Sequence, residues 1–125
     1  MMKILAVAIG GSIGAVTRYL VSTWAAGRFG PSFPYGTLIV NVIGCFIIGA
    51  FMTLATERLL ISPYWRLLVT VGFVGGLTTF SSFSYETFKL LEDAEVAAAI
   101  SNVAANCVLG FFATWLGMLT ARLAG

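Results

Sequence analysis

The sequence contains no histidine and few charged residues, with five acidic and seven basic side chains among 125 residues. Without histidine, the chain lacks the usual transition-metal ligand, the usual general base and the most common pH sensor near neutrality. The basic residues form no patch, which argues against nucleic-acid binding. Cys45 and Cys107 lie in apolar segments, where small buried thiols pack like apolar side chains. We therefore expect neither an enzyme, nor a disulfide, nor a metal–thiolate site.

Apolar residues, in contrast, are abundant: they make up 59% of the sequence, and the mean hydropathy is +0.98. A water-soluble globule cannot hide so much apolar surface. Because a helix needs roughly 20 residues to cross a bilayer, four spans use most of the chain. The sequence predicts an all-α membrane protein, with residues 1–125 forming a single four-helix transmembrane domain. The predicted helices cover about residues 4–26, 36–56, 66–90 and 96–121.

The apolar run at the N-terminus resembles a signal sequence at first sight. It continues from Ile4 past Arg18 to about Ala26, which is longer than a signal core of about 7–15 residues. We therefore interpret it as the first membrane helix. Four short helices make a thin bundle with little room for an internal pathway, so a homo-oligomer packed through small-residue faces is expected.

The segment from Gly75 to Ser84 reads GGLTTFSSFS and lies inside an uncharged run of residues 67–85. Its glycines weaken a helix, and its hydroxyl side chains can bond to the backbone groups that an unwound turn frees. Such a turn is tolerated in the membrane where protein or a water-filled cavity surrounds it. The pattern predicts a third helix that is broken near residues 75–80, a feature that usually marks an ion or substrate path.

The first helix carries a GxxxG pair and a charge. Gly10 and Gly14 are typical of close helix packing. Arg18 lies well inside the span, where a charged side chain is costly and normally faces protein, water or a headgroup. Two interpretations of Arg18 stay open: it extends towards the membrane surface, or it lines a vestibule that attracts anions.

Two further helices carry polar stripes. In the second, Asn41 shares one face with Thr37, Gly44 and Ile48. Asn41 either bonds to a neighbouring helix or lines a pore, and the sequence favours neither. The stripe of the fourth helix consists of Asn102, Asn106, Gly110, Ala113 and Gly117. Because it cannot face lipid without cost, it must meet another helix or water, and its two asparagines favour pore lining.

The charges near the membrane surfaces give two further hypotheses. Glu86 precedes Lys89 by three residues, so the two form an ordinary surface pair, or else Glu86 belongs to the pathway. With four spans both termini share one side, and the count of basic residues there is only slightly larger than on the other side. The residues in this count are Lys3, Arg58, Arg66 and Arg122 against Arg28 and Lys89, with Arg18 buried towards the latter. This weak bias permits insertion in both directions, and hence an antiparallel homodimer.

The stretch GGLTTFSSFS, together with Asn41, the region of Arg18 and four helices in 125 residues, resembles the Fluc-type fluoride channels, also called the CrcB family. The resemblance covers the whole chain. It implies a dual-topology antiparallel homodimer of multi-pass subunits in the plasma membrane, with the third helices broken at the motif and crossing near the dimer centre. It also implies two pores that pass fluoride passively and protect the cell from fluoride accumulation.

The resemblance also implies roles for single residues. Phe80 and Phe83 match the paired phenylalanines beside the fluoride path, although without the family an i, i+3 pair indicates helix packing. Asn41 matches a pore-facing asparagine, and Ser81 and Ser84 match neighbouring hydroxyl positions. With the asparagines of the last helix, these side chains can supply the hydrogen-bond donors that a strongly hydrated ion needs.

Further positions carry over from the family. Arg18 and Glu86 match charged positions at the pore ends and pathway. The backbone carbonyls of Gly75 and Thr78 match those that hold a single structural Na⁺ at the dimer interface. Asn102 and Asn106 occupy the polar track of the last helix, and Gly110 stands where some relatives carry a further hydroxyl.

Two other functional classes are less well supported. A small proton-coupled multidrug or cation exporter is also a four-helix, dual-topology dimer, but proton coupling calls for a membrane-embedded carboxylate, typically in the first helix. This first helix has none. A purely structural membrane subunit explains the packing glycines but leaves the polar motif and the asparagines without a purpose.

Overall fold

The chain forms a bundle of helices. The structure, a computed structural model, describes residues 1–58 and 60–124, without the side chain of Arg58. Among these residues, two segments are π-helical: Leu54–Arg58 continues α2, and Leu67–Val74 joins α3 to α4. The α-helices are α1 (Met2–Phe29), α2 (Tyr35–Thr53), α3 (Pro63–Arg66), α4 (Gly75–Leu77), α5 (Phe80–Glu92) and α6 (Val96–Ala124).

Within the described part of the chain, four stretches are long and apolar enough to cross a membrane, which confirms the all-α prediction with four spans. The stretches are Met2–Phe29, Tyr35–Glu57, Pro63–Glu92, hereafter the third span, and Val96–Ala124. Most of them extend a few residues beyond the predicted ends. The reason is that helical hydrogen bonding continues past the apolar core into polar and aromatic residues, which hydropathy does not register.

Helix ends follow the local sequence. Gly30 ends α1 with φ 85°, in the left-handed region that favours glycine. Pro34 immediately precedes α2 and cannot donate a backbone hydrogen bond. At the start of α3, the Ser62 side chain accepts a hydrogen bond from the Tyr64 amide, and Pro63 takes the first helical position. These helices therefore begin and end where the sequence supplies glycine, proline and serine.

Glycines bring α1 close to the third span. A Cβ added to Gly10 would overlap the carbonyl oxygen of Leu68, and one added to Gly14 would overlap that of Phe73. Both glycines are buried. The GxxxG prediction of close helix packing is therefore confirmed, with residues 67–74 as the packing partner.

A second close pair consists of α2 and α6. A Cβ added to Gly49 would overlap the carbonyl oxygen of Thr114, and one added to Gly117 would overlap that of Phe46. Gly117 belongs to the polar and small stripe predicted on the fourth helix. This end of the stripe packs against α2, because only glycine lets the two backbones approach so closely.

The third span changes conformation at Thr78 and Thr79. The α4 helix ends at Leu77, Thr78 has φ −84° and ψ 155°, and Thr79 has φ −151° and ψ 116°. The side chain of Thr79 accepts a hydrogen bond of 3.1 Å from the Ser82 amide and caps the start of α5. Two extended residues thus separate α4 from α5 and place the α5 N-terminus beside α2 and α6.

Candidate functional site

Asn41 on α2 pairs with the backbone of Thr79. Its Oδ1 accepts a hydrogen bond of 2.8 Å from the Thr79 amide, and its Nδ2 donates one of 3.2 Å to the Thr79 carbonyl oxygen. One side-chain amide thus binds both backbone groups of Thr79 and gives its amide an acceptor in place of the helical one. Because unpaired backbone groups are costly in a membrane, this pair stabilises the extended turn.

A continuous chain of side-chain hydrogen bonds continues from Asn41 across α6. The Asn41 Nδ2 also donates to Asn106 Oδ1 at 3.0 Å. The Asn106 Nδ2 donates to both the carbonyl oxygen and the Oδ1 of Asn102, at 2.9 and 3.1 Å. The Asn102 Nδ2 donates to Thr87 Oγ1 at 2.9 Å, and this hydroxyl donates to the Phe83 carbonyl oxygen at 2.8 Å. We call Asn41, Asn106, Asn102 and Thr87 the amide chain.

Phe80 and Phe83 lie in the first turn of α5. Their ring centroids are 5.5 Å apart and their planes meet at 64°, an edge-to-face arrangement. Phe80 is 78% exposed, whereas Phe83 is half-buried. Nearby, the exposed Ser81 has its Oγ 3.3 Å from the Thr79 Oγ1, and Ser84 is half-buried. The interrupted span thus presents aromatic edges and hydroxyls together.

Two cavities adjoin this region. The ring cavity, of about 340 Å³, is lined on its polar side by Asn41, Thr79 and Asn106, and also by Phe80 and Phe83. The carboxylate cavity, of about 520 Å³, lies at the other end of the same face of α2, next to Thr37. Its charged and hydroxyl lining consists of Ser22, Ser32, Tyr35, Thr37, Tyr85, Glu86, Lys89, Asp93 and Glu95. The predicted α2 stripe therefore runs from one cavity to the other.

Glu86 bonds to α2 and not to its helical neighbour. Its Oε2 accepts a hydrogen bond of 3.1 Å from the Thr37 hydroxyl. Its Oε1 is buried and has no hydrogen-bond partner among the described residues. The surface pair of Glu86 with Lys89 was a wrong prediction: the Lys89 ammonium lies 3.9 Å from the Asp93 carboxylate, one turn further along the exposed side of α5. The carboxyl of Glu86 lies instead at the junction of α2, α5 and the carboxylate cavity.

Arg18 lies beside the end of α4. Its Nε donates a hydrogen bond of 3.0 Å to the Gly76 carbonyl oxygen. This places a positive charge at the helix end where carbonyls lack partners, a favourable interaction with the helix dipole. Arg18 is not among the described residues that line either cavity. Arg18 follows Gly14 by four residues, so both residues lie on the face of α1 that packs against the third span.

Sequence reasoning gave no role to Thr87, and it included Thr79 only among the hydroxyls of the motif that can bond to freed backbone groups. Thr79 supplies the backbone that Asn41 binds and the cap of α5, and Thr87 closes the amide chain at Phe83. Thr87 follows Phe83 by four residues, the spacing at which a hydroxyl reaches the preceding carbonyl of a helix. That spacing alone does not reveal the bond from Asn102, which depends on how α5 packs against α6.

Comparison with known proteins identifies the family. The model of CrcB-like proteins, described as Camphor Resistance (CrcB), matches residues 5–118. The chain belongs to the CrcB family. Curated CrcB relatives carry the name fluoride-specific ion channel FluC. One from Solibacter usitatus is 50% identical over 121 residues, covering 97% of this chain and 99% of the relative.

Two further relatives of the same name extend over similar lengths. The protein of Geobacter metallireducens is 49% identical and covers 98% of both chains. That of Sulfurihydrogenibium sp. is 48% identical over 98% of this chain and 99% of the relative. The predicted family is thus confirmed, and with its four apolar helices this CrcB chain is a multi-pass membrane protein.

Proposed function

We propose that this protein is a fluoride channel of the plasma membrane that lets fluoride leave the cell passively and so limits fluoride toxicity. The curated relatives carry the name of a fluoride-specific ion channel. The observation that carries the proposal for this chain is the edge-to-face pair of Phe80 and Phe83. The pair lies at the start of α5 and faces a cavity whose wall includes Asn41 and Asn106.

The chemistry of this region suits a small anion. The start of α5 carries backbone amides without helical acceptors and the positive end of the helix dipole. The hydroxyls of Ser81 and Ser84 and the positive edges of the two rings add further favourable groups. Because fluoride holds its water strongly, replacing that water requires several such groups close together. Asn41 and Asn106 form the polar wall behind them, with the buried Asn102 bonded to Asn106, while Glu86 lies at the carboxylate cavity.

We further propose that two antiparallel copies form the conducting unit, with two pores per dimer. Phe80 is 78% exposed, and Gly75 and Ser81 are also exposed. The interruption of the third span therefore lies on the outside of one bundle. A second copy packed there buries the mid-membrane break of both third spans and encloses the path between two sets of rings.

The carbonyl groups of Gly75 and Thr78 fit a structural Na⁺ at this interface. In a continuous helix they would accept hydrogen bonds from Thr79 and Ser82, but these amides donate to Asn41 Oδ1 and Thr79 Oγ1. Both carbonyl oxygens are thereby released from the helical pattern, and oxygen is the ligand that hard cations prefer. In residues 1–58 and 60–124, no cluster of three or more histidine, cysteine, aspartate or glutamate side chains offers another metal site.

Flux from liposomes tests the proposed function. Purified protein is reconstituted into vesicles loaded with potassium fluoride, and valinomycin is added to carry the balancing charge. We expect fluoride to appear outside, as read by a fluoride electrode, without any proton gradient. Vesicles loaded with potassium chloride are expected to release almost none of their anion.

The same assay separates the alternative functions. A proton-coupled exporter requires a proton gradient and moves a cation, whereas a structural subunit produces no flux. Folded dimers that release no fluoride, or release it only under a proton gradient, contradict the channel proposal. Protein-free vesicles and vesicles without valinomycin provide the controls.

Removing sodium is expected to destabilise the dimer. A ligand that binds only the folded state stabilises it by about 2.7 kcal/mol when its concentration is about 100 times its Kd. Replacing sodium with N-methylglucamine should therefore lower the thermal unfolding midpoint in detergent. The Asn41→Leu variant is the matched control. Without the Asn41 side chain, the Thr79 amide can donate to the Gly75 carbonyl again, and that oxygen is no longer available to sodium. Equal midpoints of the native protein with and without sodium contradict the site.

A further inference from the structure

The amide chain begins and ends on the backbone at opposite sides of the ring pair. At one end, Asn41 binds both the amide and the carbonyl of Thr79, which immediately precedes Phe80. At the other end, Thr87 donates to the carbonyl oxygen of Phe83. The short segment that carries both rings is therefore held at its two ends by one continuous set of hydrogen bonds.

The N–H donors of the amide chain bond mostly to other members of the amide chain and to the adjacent backbone. An asparagine amide has two N–H donors. Asn41 donates to Thr79 and to Asn106, and Asn106 donates twice to Asn102. These two side chains have no N–H left for an ion while the bonds are in place.

Thr87 fixes the direction of the last two links. A hydroxyl has one proton, and Thr87 uses its proton in the hydrogen bond to the Phe83 carbonyl oxygen. The Thr87 oxygen must therefore accept its bond from Asn102. Asn102 is 0% exposed, so its side chain is out of reach of either cavity. Because its partners in the amide chain are Asn106 and Thr87, Asn102 connects α6 to α5.

We propose that Thr87 and Asn102 are positioning residues that set the selectivity of the channel for fluoride over chloride without touching the ion. They hold the Phe83 backbone against α6 while Asn41 holds the Thr79 backbone against α2, so the spacing of the rings is fixed. Chloride is larger than fluoride, and a ring pair that is free to move admits it. The inference rests on the proposed fluoride channel and assigns the specificity of the rings to a buried polar connection.

The test uses variants of one hydroxyl group. Thr87→Val keeps the shape and removes the hydroxyl, whereas Thr87→Ser keeps the hydroxyl. In the liposome assay, we expect Thr87→Val to lower the ratio of fluoride to chloride flux by about tenfold, since it leaves the buried Asn102 amide without its acceptor. Thr87→Ser should restore a ratio within about twofold of the native protein. Rescue by the conservative variant would not follow from a packing role alone.

Two more variants sharpen the result. Thr114→Val is the matched control, because the Thr114 hydroxyl bonds to the Gly110 carbonyl at 3.1 Å in the same i, i−4 manner but is bonded to no further side chain among the described residues. It should keep the native flux ratio. Asn102→Ala breaks the neighbouring link, and we expect the same loss as in Thr87→Val. Combining Asn102→Ala with Thr87→Val should add little further loss, since both remove one connection.

The outcomes separate this inference from the channel proposal. A native protein that conducts fluoride, together with Thr87→Val and Asn102→Ala variants of native selectivity, overturns the positioning role alone. So does an equal loss in Thr114→Val, or a Thr87→Ser variant as impaired as Thr87→Val. A native protein without fluoride flux overturns the proposed function and this inference with it.

Discussion

Replacing Phe83 with isoleucine is expected to slow fluoride efflux by up to about tenfold while the folded dimer persists. Isoleucine keeps the apolar bulk but removes the positive ring edge and the edge-to-face contact with Phe80. Each aromatic contact of this kind is worth about 0.5–1.5 kcal/mol, and about 1.4 kcal/mol corresponds to a tenfold change. Phe80→Ile should act in the same direction, since it removes the other ring of the pair.

The liposome assay with a fluoride electrode measures this effect, and size-exclusion chromatography in detergent checks the dimer. Phe112→Ile is the matched control. Phe112 also pairs with an aromatic residue three positions later, Trp115, and the two ring centroids are 5.8 Å apart. Phe112 does not line the ring cavity. Its variant should conduct at the native rate. Native efflux rates in both Phe80→Ile and Phe83→Ile would remove the proposed role of the rings.

Replacing Gly14 with alanine is expected to destabilise the fold strongly. The new methyl group would overlap the Phe73 carbonyl oxygen and lie 2.9 Å from the Leu77 amide nitrogen. Both are backbone atoms that no side-chain rotation can move, so α1 and the third span must separate. Overpacking typically costs about 1–3 kcal/mol, and this contact belongs at the upper end.

Gly11→Ala gives the matched comparison on the neighbouring position of the same helix. Its methyl group would meet only the Gly72 carbonyl oxygen at 3.9 Å, an ordinary contact. Unfolding in mixed detergent and dodecyl sulfate, followed by tryptophan fluorescence, measures both variants. We expect a native transition for Gly11→Ala and a much earlier one for Gly14→Ala. Coincident transitions would show that the close approach at Gly14 has no energetic weight.

The spans and the close packing of α1 could be predicted because each has a local cause. Hydropathy reports how each segment transfers into lipid, whatever its neighbours are. Gly10 and Gly14 mark a helix face on which another backbone can approach, and the structure puts residues 67–74 there. The GxxxG pair could not identify that partner, because any helix with a suitable face can pack against it.

The surface pair of Glu86 with Lys89, one of two alternatives for Glu86, was wrong and shows the limit of such local rules. A spacing of three residues places Glu86 and Lys89 on neighbouring positions of one helix, but it says nothing of other helices. In the structure Thr37 of α2 lies within hydrogen-bond distance of Glu86, and Lys89 has Asp93 near it on the exposed side. A bond to another element replaced the one expected within the helix.

The segment from Gly75 to Ser84 illustrates what the local sequence and the packing of the helices each contribute. Its glycines and hydroxyls in an uncharged run make the stretch poorly suited to a continuous helix, and hydropathy alone predicts that the chain crosses the membrane as four helices. Only the tertiary structure decided how the stretch is held. Asn41 and Thr79 are 38 positions apart, and Asn41 and Asn106 are 65 apart. The physical reason is that a polar group in a membrane must find a partner, and which partner it finds depends on how the helices pack.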